Sequence, residues 1–191
     1  MGNGLWWWWH RQFVVTINQL QNAGTNGIYT VCENDPVFNL FNYLAGSPDV
    51  GGIWTDVNNI PVPNMFNPSI SGSGTFIYTY TVLGTDALGC YSDTLVSVNV
   101  NPIPLINISA SPDSICIGNT SVLLASGASF YNWQPHSTLN TNSGNSVTAL
   151  PNTTTTYSVS GTDGNNCTAS ANKTIFVKIQ DVRTRLNRLK K

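Results

Sequence analysis

The sequence predicts an all-β protein made of two tandem β-sandwich domains, and three observations support this fold class. Charged residues make up only 9% of the 191 residues and hydrophobic residues 41%, whereas ordinary soluble domains are roughly 25% charged. Apolar side chains alternate with polar ones over several stretches, as they do in half-buried strands. One pattern of residues also occurs twice, about one small domain apart.

An internal repeat organises the chain. The stretches from Tyr80 to Cys90 and from Tyr157 to Cys167 align without a gap, 77 residues apart, and share Tyr, Val, Gly-Thr-Asp and Cys. Upstream, each repeat has a cysteine followed by a tryptophan, namely Cys32 and Trp54 in the first and Cys116 and Trp133 in the second. The order Cys, Trp, Tyr, Cys therefore occurs twice, and a repeat of this length is a whole small domain.

The repeat predicts four regions along the chain. Residues 23–101 form a first sandwich domain and residues 102–180 a second, joined near two prolines that restrict bending. Residues 1–22 have the alternating pattern of the last strand of a preceding repeat, behind a tryptophan-rich start, and residues 181–191 form a basic tail. We therefore expect the natural protein to be a longer array of such repeats.

Period-two alternation predicts individual strands. From Phe76 to Val82, aromatic and apolar residues occupy every second position, which gives the strand one buried face. Other predicted strands are Val96 to Val100, Val122 to Ala125, Phe130 to Trp133, Ser146 to Leu150, and Ile175 to Ile179. Gly84 and Gly161 precede Thr-Asp in the two repeats, and they predict a hairpin turn with positive φ.

The two repeats resemble a known group of modules. The first carries GGIWTD, FNPSISGSGTFIYTYTV and GCYSDT, and the second carries SICIGNTSVLLASGASFYNWQP and LPNTTTTYSVSGTDGNNC. These segments resemble the immunoglobulin-like and PKD-like repeats of large secreted Bacteroidetes proteins, including gliding-motility adhesins. The resemblance covers residues 23–179 and implies immunoglobulin-like sandwiches that act outside the cell.

Four cysteines are the most specific chemical feature. Cys32, Cys90, Cys116 and Cys167 have no CxxC spacing, so two structural disulfides are the simpler interpretation. We expect Cys32 to pair with Cys90 and Cys116 with Cys167, because each bond then closes one repeat. Disulfides persist in oxidising compartments, which favours a secreted or cell-surface protein. The alternative is a zinc site that uses all four thiolates.

Two further features have a structural and a functional interpretation. Trp54 and Trp133 are predicted to be core residues near the disulfides, as in immunoglobulin domains. The alternative is that they stack on a carbohydrate ligand. Asp86 and Asp163 are predicted to cap the Gly-Thr-Asp turns. A calcium ion is the alternative, although it needs six to eight oxygen ligands.

Several function classes are excluded by what the sequence lacks. The net charge is −1, which argues against a nucleic-acid partner. Apolar runs are too short for a membrane span, and no nucleophile, metalloprotease or phosphate-loop motif occurs, so neither an enzyme nor a cofactor or metal site is expected. We predict a non-catalytic structural or adhesive segment that presents a binding region to a glycan or protein ligand and contacts neighbouring repeats. The alternative is a carbohydrate-binding accessory module of a secreted polysaccharide-degrading enzyme.

Overall fold

The structure is a computed structural model that describes residues 21–84 and 89–179. Most of the predicted preceding strand at residues 1–22, the turn residue Asp86 and the basic tail at 181–191 lie outside the described residues. Within the described residues the chain is all-β, as predicted, with one short 3-10 helix at Leu40–Tyr43 and one four-residue α-helix, α1, at Pro68–Ser71.

Thirteen strands occur in the described part of the chain. Those within the predicted first repeat are β1 (Gly27–Cys32), β2 (Phe38–Asn39), β3 (Ile53–Thr55), β4 (Met65–Phe66), β5 (Gly74–Leu83) and β6 (Tyr91–Asn101). Those within the predicted second repeat are β7 (Asn107–Ser111), β8 (Ser114–Cys116), β9 (Ser121–Ser126), β10 (Phe130–Gln134), β11 (Ser146–Ala149), β12 (Thr155–Thr162) and β13 (Thr168–Lys178).

The same strand order occurs in two four-stranded sheets. One sheet has the order β1-β6-β5-β3 and the other the order β8-β13-β12-β10. In each, the last two strands form the centre, the strand that carries the tryptophan lies on one side, and the strand that ends in a cysteine lies on the other. The repeat seen in the sequence is therefore also a repeat of topology.

Strands β7 to β13 form an immunoglobulin-like sandwich. A three-stranded sheet has the order β11-β9-β7, and its strands β7, β9 and β11 correspond to A, B and E of the immunoglobulin fold. In the four-stranded sheet, β10, β12 and β13 correspond to C, F and G. Inward side chains of both sheets form one core. Leu123 comes from the three-stranded sheet, and Trp133, Tyr157 and Ile175 come from the four-stranded sheet. This packing of two inner faces defines a β-sandwich.

Buried and exposed side chains alternate along several strands of this sandwich, as the sequence pattern predicts. In β9, Ser121, Leu123 and Ala125 are buried while the residues between them are exposed. The predicted strands around β9, β10 and β11 are confirmed. The predicted strand Ile175 to Ile179 is confirmed only in part, because β13 ends at Lys178 and Ile179 lies beyond it. Its alternation is also weaker than predicted, since Ile175 is buried while Val177 is half-buried.

Gly161 has a different role from the one predicted. It lies within β12 without a positive φ, so the turn does not begin there. A Cβ at this position would collide with the side chains of Ile106 and Ala128. Glycine is therefore required for a close approach of the chain rather than for a turn.

The chain divides into two compact units whose boundaries differ from those of the repeats. The first contains residues 21–27, Leu40–Asn64 and Ile77–Ser97, and the second contains Ile28–Asn39, Met65–Phe76 and residues 98–179. The repeat boundaries at residues 101 and 102 stay a prediction.

An aromatic cluster forms the core of the first unit. Trp54 lies opposite Tyr80 in the β3–β5 ladder, with ring centroids 4.8 Å apart, and Phe41 meets Tyr80 edge-on at 5.5 Å. The Tyr80 hydroxyl donates to the Asp49 carbonyl at 2.7 Å and accepts from the Gly52 N–H at 2.9 Å. A Cβ on Gly52 would meet the Tyr80 ring at 2.5 Å, so the buried tyrosine requires glycine there.

We predict that Trp133→Ala lowers the free energy of unfolding by about 3–5 kcal/mol, because it leaves a cavity in a closely packed core. Phe130→Ala, on the same strand but largely exposed, is the matched control and is expected to change stability by less than about 0.5 kcal/mol. Chemical denaturation of both variants measures the difference. Equal losses would show that Trp133 does not lie in the core.

Candidate functional site

A disulfide bond joins Cys32, the last residue of β1, to Cys167, which directly precedes β13. Their Cα atoms are 5.6 Å apart, and 135 positions separate them along the chain. This bond links the predicted first repeat to the predicted second. The predicted pairs, Cys32 with Cys90 and Cys116 with Cys167, are therefore wrong.

The length of the last strand explains the correction. Cys167 precedes the first residue of β13, whereas Cys116 pairs in register with Lys178, the last residue of that strand. Eleven residues of extended chain span roughly 35 Å, and a disulfide requires Cα atoms within about 7 Å. The β6 strand separates Cys90 from Cys32 in the same way, since the Glu33 N–H donates to the carbonyl of its last residue, Asn101, at 3.0 Å.

Hydrogen bonds support the bonded cysteines on both sides. Asp163 Oδ1 accepts from the backbone N–H groups of Asn165 and Cys167, both at 2.9 Å, and so closes the turn before β13. On the other side, Asn34 Nδ2 donates to the Thr168 carbonyl at 3.0 Å. Capping by Asp163 is thus confirmed.

Cys90 and Cys116 are free thiols in the structure, not the disulfide partners that were predicted. Cys90 is exposed and Cys116 is half-buried. A zinc site built from all four cysteines is contradicted, because the sulfurs of Cys32 and Cys167 are bonded to each other and are not thiolates. In the described residues, no three His, Cys, Asp or Glu side chains form a cluster suited to a metal ion.

Both repeat tryptophans are core residues. Trp54 is 5% exposed and Trp133 is 0% exposed, and the Trp133 indole N–H donates to the Gly144 carbonyl at 2.9 Å. Neither ring offers a face on which a sugar could stack. The alternative assignment of these residues to ligand stacking therefore loses its physical basis.

A shallow cavity of about 570 Å³ lies at one end of the sandwich formed by β7 to β13. The chain from Ala125 to Tyr131 forms one wall, and residues 143–145 form the other. Its lining is mostly serine, glycine and alanine, and Phe130, 72% exposed, is the large ring that faces solvent there. Sequence reasoning placed Phe130 on a strand but did not identify this cavity, because the turn between β9 and β10 creates it.

Tyr78 is a half-buried ionisable residue on β5. Burial, with a smaller contribution from the negative charge of Asp56, raises the pKa of the Tyr78 hydroxyl above its ordinary value. A tyrosine with a raised pKa stays neutral and is a poorer nucleophile or base at neutral pH.

No described helix is long and apolar enough to cross a membrane.

Comparison with known proteins adds weak likenesses. No family model matches the chain, and no curated protein matches it. Among solved structures, murine CEACAM1b is similar with a TM-score of 0.35 and 9% identity, over 79% of this chain and 96% of that one. The amphioxus IgVJ-C2 molecule has a TM-score of 0.32 and 19% identity, over 70% of this chain and 76% of that one.

Human CDH23 EC21-23 is also similar, with a TM-score of 0.27 and 15% identity, over 82% of this chain and 72% of that one. TM-scores this low do not establish a shared fold or function with these proteins. The assignment of the fold therefore rests on the strand order and on the core described above.

We predict that Cys32→Ser lowers the free energy of unfolding by about 2–5 kcal/mol, because the bond that restricts the unfolded chain is lost. Cys116→Ser removes a thiol without removing a bond, so it is the matched control and should change stability by less than about 0.5 kcal/mol. Denaturant unfolding of the oxidised proteins, with free thiols blocked, measures both. A larger loss in Cys116→Ser than in Cys32→Ser would contradict the observed pairing.

We predict that Asp163→Ala costs about 1–3 kcal/mol, since two N–H groups of the turn lose their acceptor. Asp163→Asn keeps an acceptor oxygen and should retain most of that stability. Thermal unfolding with and without millimolar calcium provides the second measurement. Because the carboxylate is used in turn capping, calcium should leave the midpoint unchanged, and a midpoint that rises with calcium only when Asp163 is present would restore the metal alternative.

Proposed function

We propose that the chain is a non-catalytic structural and adhesive repeat segment of a secreted or cell-surface bacterial protein, which spaces or presents a binding region. The observation that carries the proposal is the Cys32–Cys167 bond, which lies within the second compact unit and joins a residue of the predicted first repeat to a residue of the predicted second. On the predicted repeat boundaries, such a bond fixes the spacing of two repeats, whereas a bond inside one repeat stabilises only that repeat.

The chemistry of the bond supports an extracellular setting. Structural disulfides persist where the surroundings are oxidising, as in secreted and cell-surface proteins. The low charge of the chain, 9% charged residues, and the resemblance of residues 23–179 to repeats of secreted Bacteroidetes proteins agree with this setting.

The described surface suits adhesion better than catalysis. The cavity beside Phe130 is shallow and lined mainly by small uncharged residues, without a paired acid and base that would transfer protons. A ligand at such a surface would be an extracellular glycan or protein, bound by shape and hydrogen bonding. The role as an accessory module of a polysaccharide-degrading enzyme has lost its main support, since both repeat tryptophans are buried.

Small-angle scattering of the oxidised chain tests the proposal. Two sandwiches that follow one another along the chain, each with an eleven-residue last strand, should give a longest dimension on the order of 70 Å. A compact globular protein of this length has a radius of gyration of about 16 Å, and we expect a clearly larger value. A radius near 16 Å would overturn the spacer role.

Glycan binding is checked separately with a carbohydrate array. Binding that Phe130→Ala abolishes, while Phe176→Ala on the exposed side of β13 does not, would identify the cavity as a glycan site within the adhesive role. Absence of glycan binding would direct the search to protein ligands.

A further inference from the structure

Each of the two free cysteines occupies the position that a bonded cysteine occupies in the other repeat. Cys116 ends β8, which lies beside the last strand β13, as Cys32 ends β1 beside the last strand β6. Cys90 directly precedes β6, as Cys167 directly precedes β13. Each repeat therefore has one cysteine of each kind.

Backbone hydrogen bonds confirm the equivalence of Cys32 and Cys116. The residue after Cys32 donates to the carbonyl of Asn101, the end of β6, at 3.0 Å, and the residue after Cys116 donates to the carbonyl of Lys178, the end of β13, at 3.2 Å. Three residues after each of these two cysteines, a backbone N–H donates back to the cysteine carbonyl at 3.0 Å. The two strand ends thus have the same local structure.

The hairpin cysteines match in their position directly before the final strand, although the hydrogen bond spans six positions in the first hairpin and four in the second. The carbonyl of Cys90 accepts from the N–H of Gly84 at 2.7 Å, and the carbonyl of Cys167 accepts from the N–H of Asp163 at 3.0 Å. In both cases the donor directly follows one strand of the hairpin, β5 or β12, and the cysteine directly precedes the other, β6 or β13. Cys167, bonded to Cys32, therefore shows what a cysteine at this position does when its partner is present.

We propose that Cys116 and Cys90 form this same bond with other repeats: Cys116 with the hairpin cysteine of a repeat that follows, and Cys90 with the strand-end cysteine of a repeat that precedes. The partner is a second repeat of this kind, supplied in solution by a second copy of the chain. The inference rests on the proposed spacer function and extends it to a continuous covalent series.

Exposed apolar residues beside the free thiols support a protein partner. Ile117 follows Cys116 and is 51% exposed, and Tyr91 follows Cys90 and is 63% exposed. At the bonded junction the corresponding residues are the polar Glu33 and Thr168. A Cys116–Cys90 junction would bring these two apolar side chains together. It would lack the hydrogen bond that Asn34 donates to Thr168 at the bonded junction, because the residue equivalent to Asn34 is Gly118, which has no side chain. Apolar contact would take the place of that hydrogen bond.

The bond forms by thiol–disulfide exchange. A thiolate of one repeat attacks a small disulfide oxidant such as oxidised glutathione, which forms a mixed disulfide and releases one glutathione thiolate. The thiolate of the other repeat then displaces the second glutathione. The two cysteines together lose two protons and two electrons, and the oxidant leaves as two thiols.

Mixing two variants of the full chain tests the inference. Cys90→Ser keeps the free thiol of Cys116, and Cys116→Ser keeps that of Cys90; one of them is isotopically labelled, and equal amounts are oxidised together with oxidised glutathione. In the control, Cys116→Ser is replaced by a chain that carries both serine substitutions and Asn172→Cys, an exposed position in the middle of β13. Mass spectrometry of the cross-linked peptides identifies each pair.

We expect a heterodimer joined through Cys116 and Cys90, with roughly tenfold more product than the control mixture gives, because docking raises the local concentration of the correct thiol. Three results would each overturn the inference. The first is that Cys116–Cys90 heterodimers and same-variant homodimers form in the proportions expected from random collision. The others are that Cys116 reacts equally with the Asn172→Cys control thiol, or that the thiols remain as mixed disulfides with glutathione. None of these results would remove the Cys32–Cys167 bond or change the scattering of the single chain, so the proposed spacer function would stand separately.

Discussion

The covalent bond between Cys32 and Cys167, which both lie in the second compact unit, is the constraint on which the structure of that unit depends. It joins the end of one strand to the turn before another, 135 positions later, and it closes a far longer stretch of chain than any turn or hairpin does. In the chain-entropy model such a closure stabilises the folded state by about 5 kcal/mol. Within the second unit, the bond and the hydrogen bond from Asn34 to Thr168 hold β1 against the hairpin of β12 and β13.

The core of the sandwich formed by β7 to β13 gives the bond a rigid support at Cys167. In the strands β7 to β13, both sheets bury one face around Trp133, and Tyr157 is fixed further by a 2.6 Å hydrogen bond between its hydroxyl and that of Thr138. Because the hairpin and the strand end lie at opposite ends of an eleven-residue strand, a rigid sandwich keeps its two cysteines apart. In the proposed array, the rigidity that prevents a bond within one repeat leaves each cysteine available to a neighbouring repeat.

The strands could be predicted from the sequence because burial on one face imposes a period of two on the residues. Tyr80 and Val82, and the buried set in β9, follow that period closely. The role of Gly161 could not be predicted, since it depends on Ile106, a residue distant in sequence whose side chain packs against it. Burial of Trp54 and Trp133 was the favoured interpretation because the two occupy matched positions in the repeats.

The cysteine pairing could not be predicted from the repeat alone. The symmetry is satisfied equally by a bond inside each repeat and by a bond from each repeat to the next, and only the strand order places Cys116 beside the end of β13. The direct test is a non-reducing peptide map of the oxidised protein. We expect a peptide that joins Cys32 to Cys167, with no bond inside either repeat, and a map that joins Cys116 to Cys167 or Cys32 to Cys90 would contradict the account.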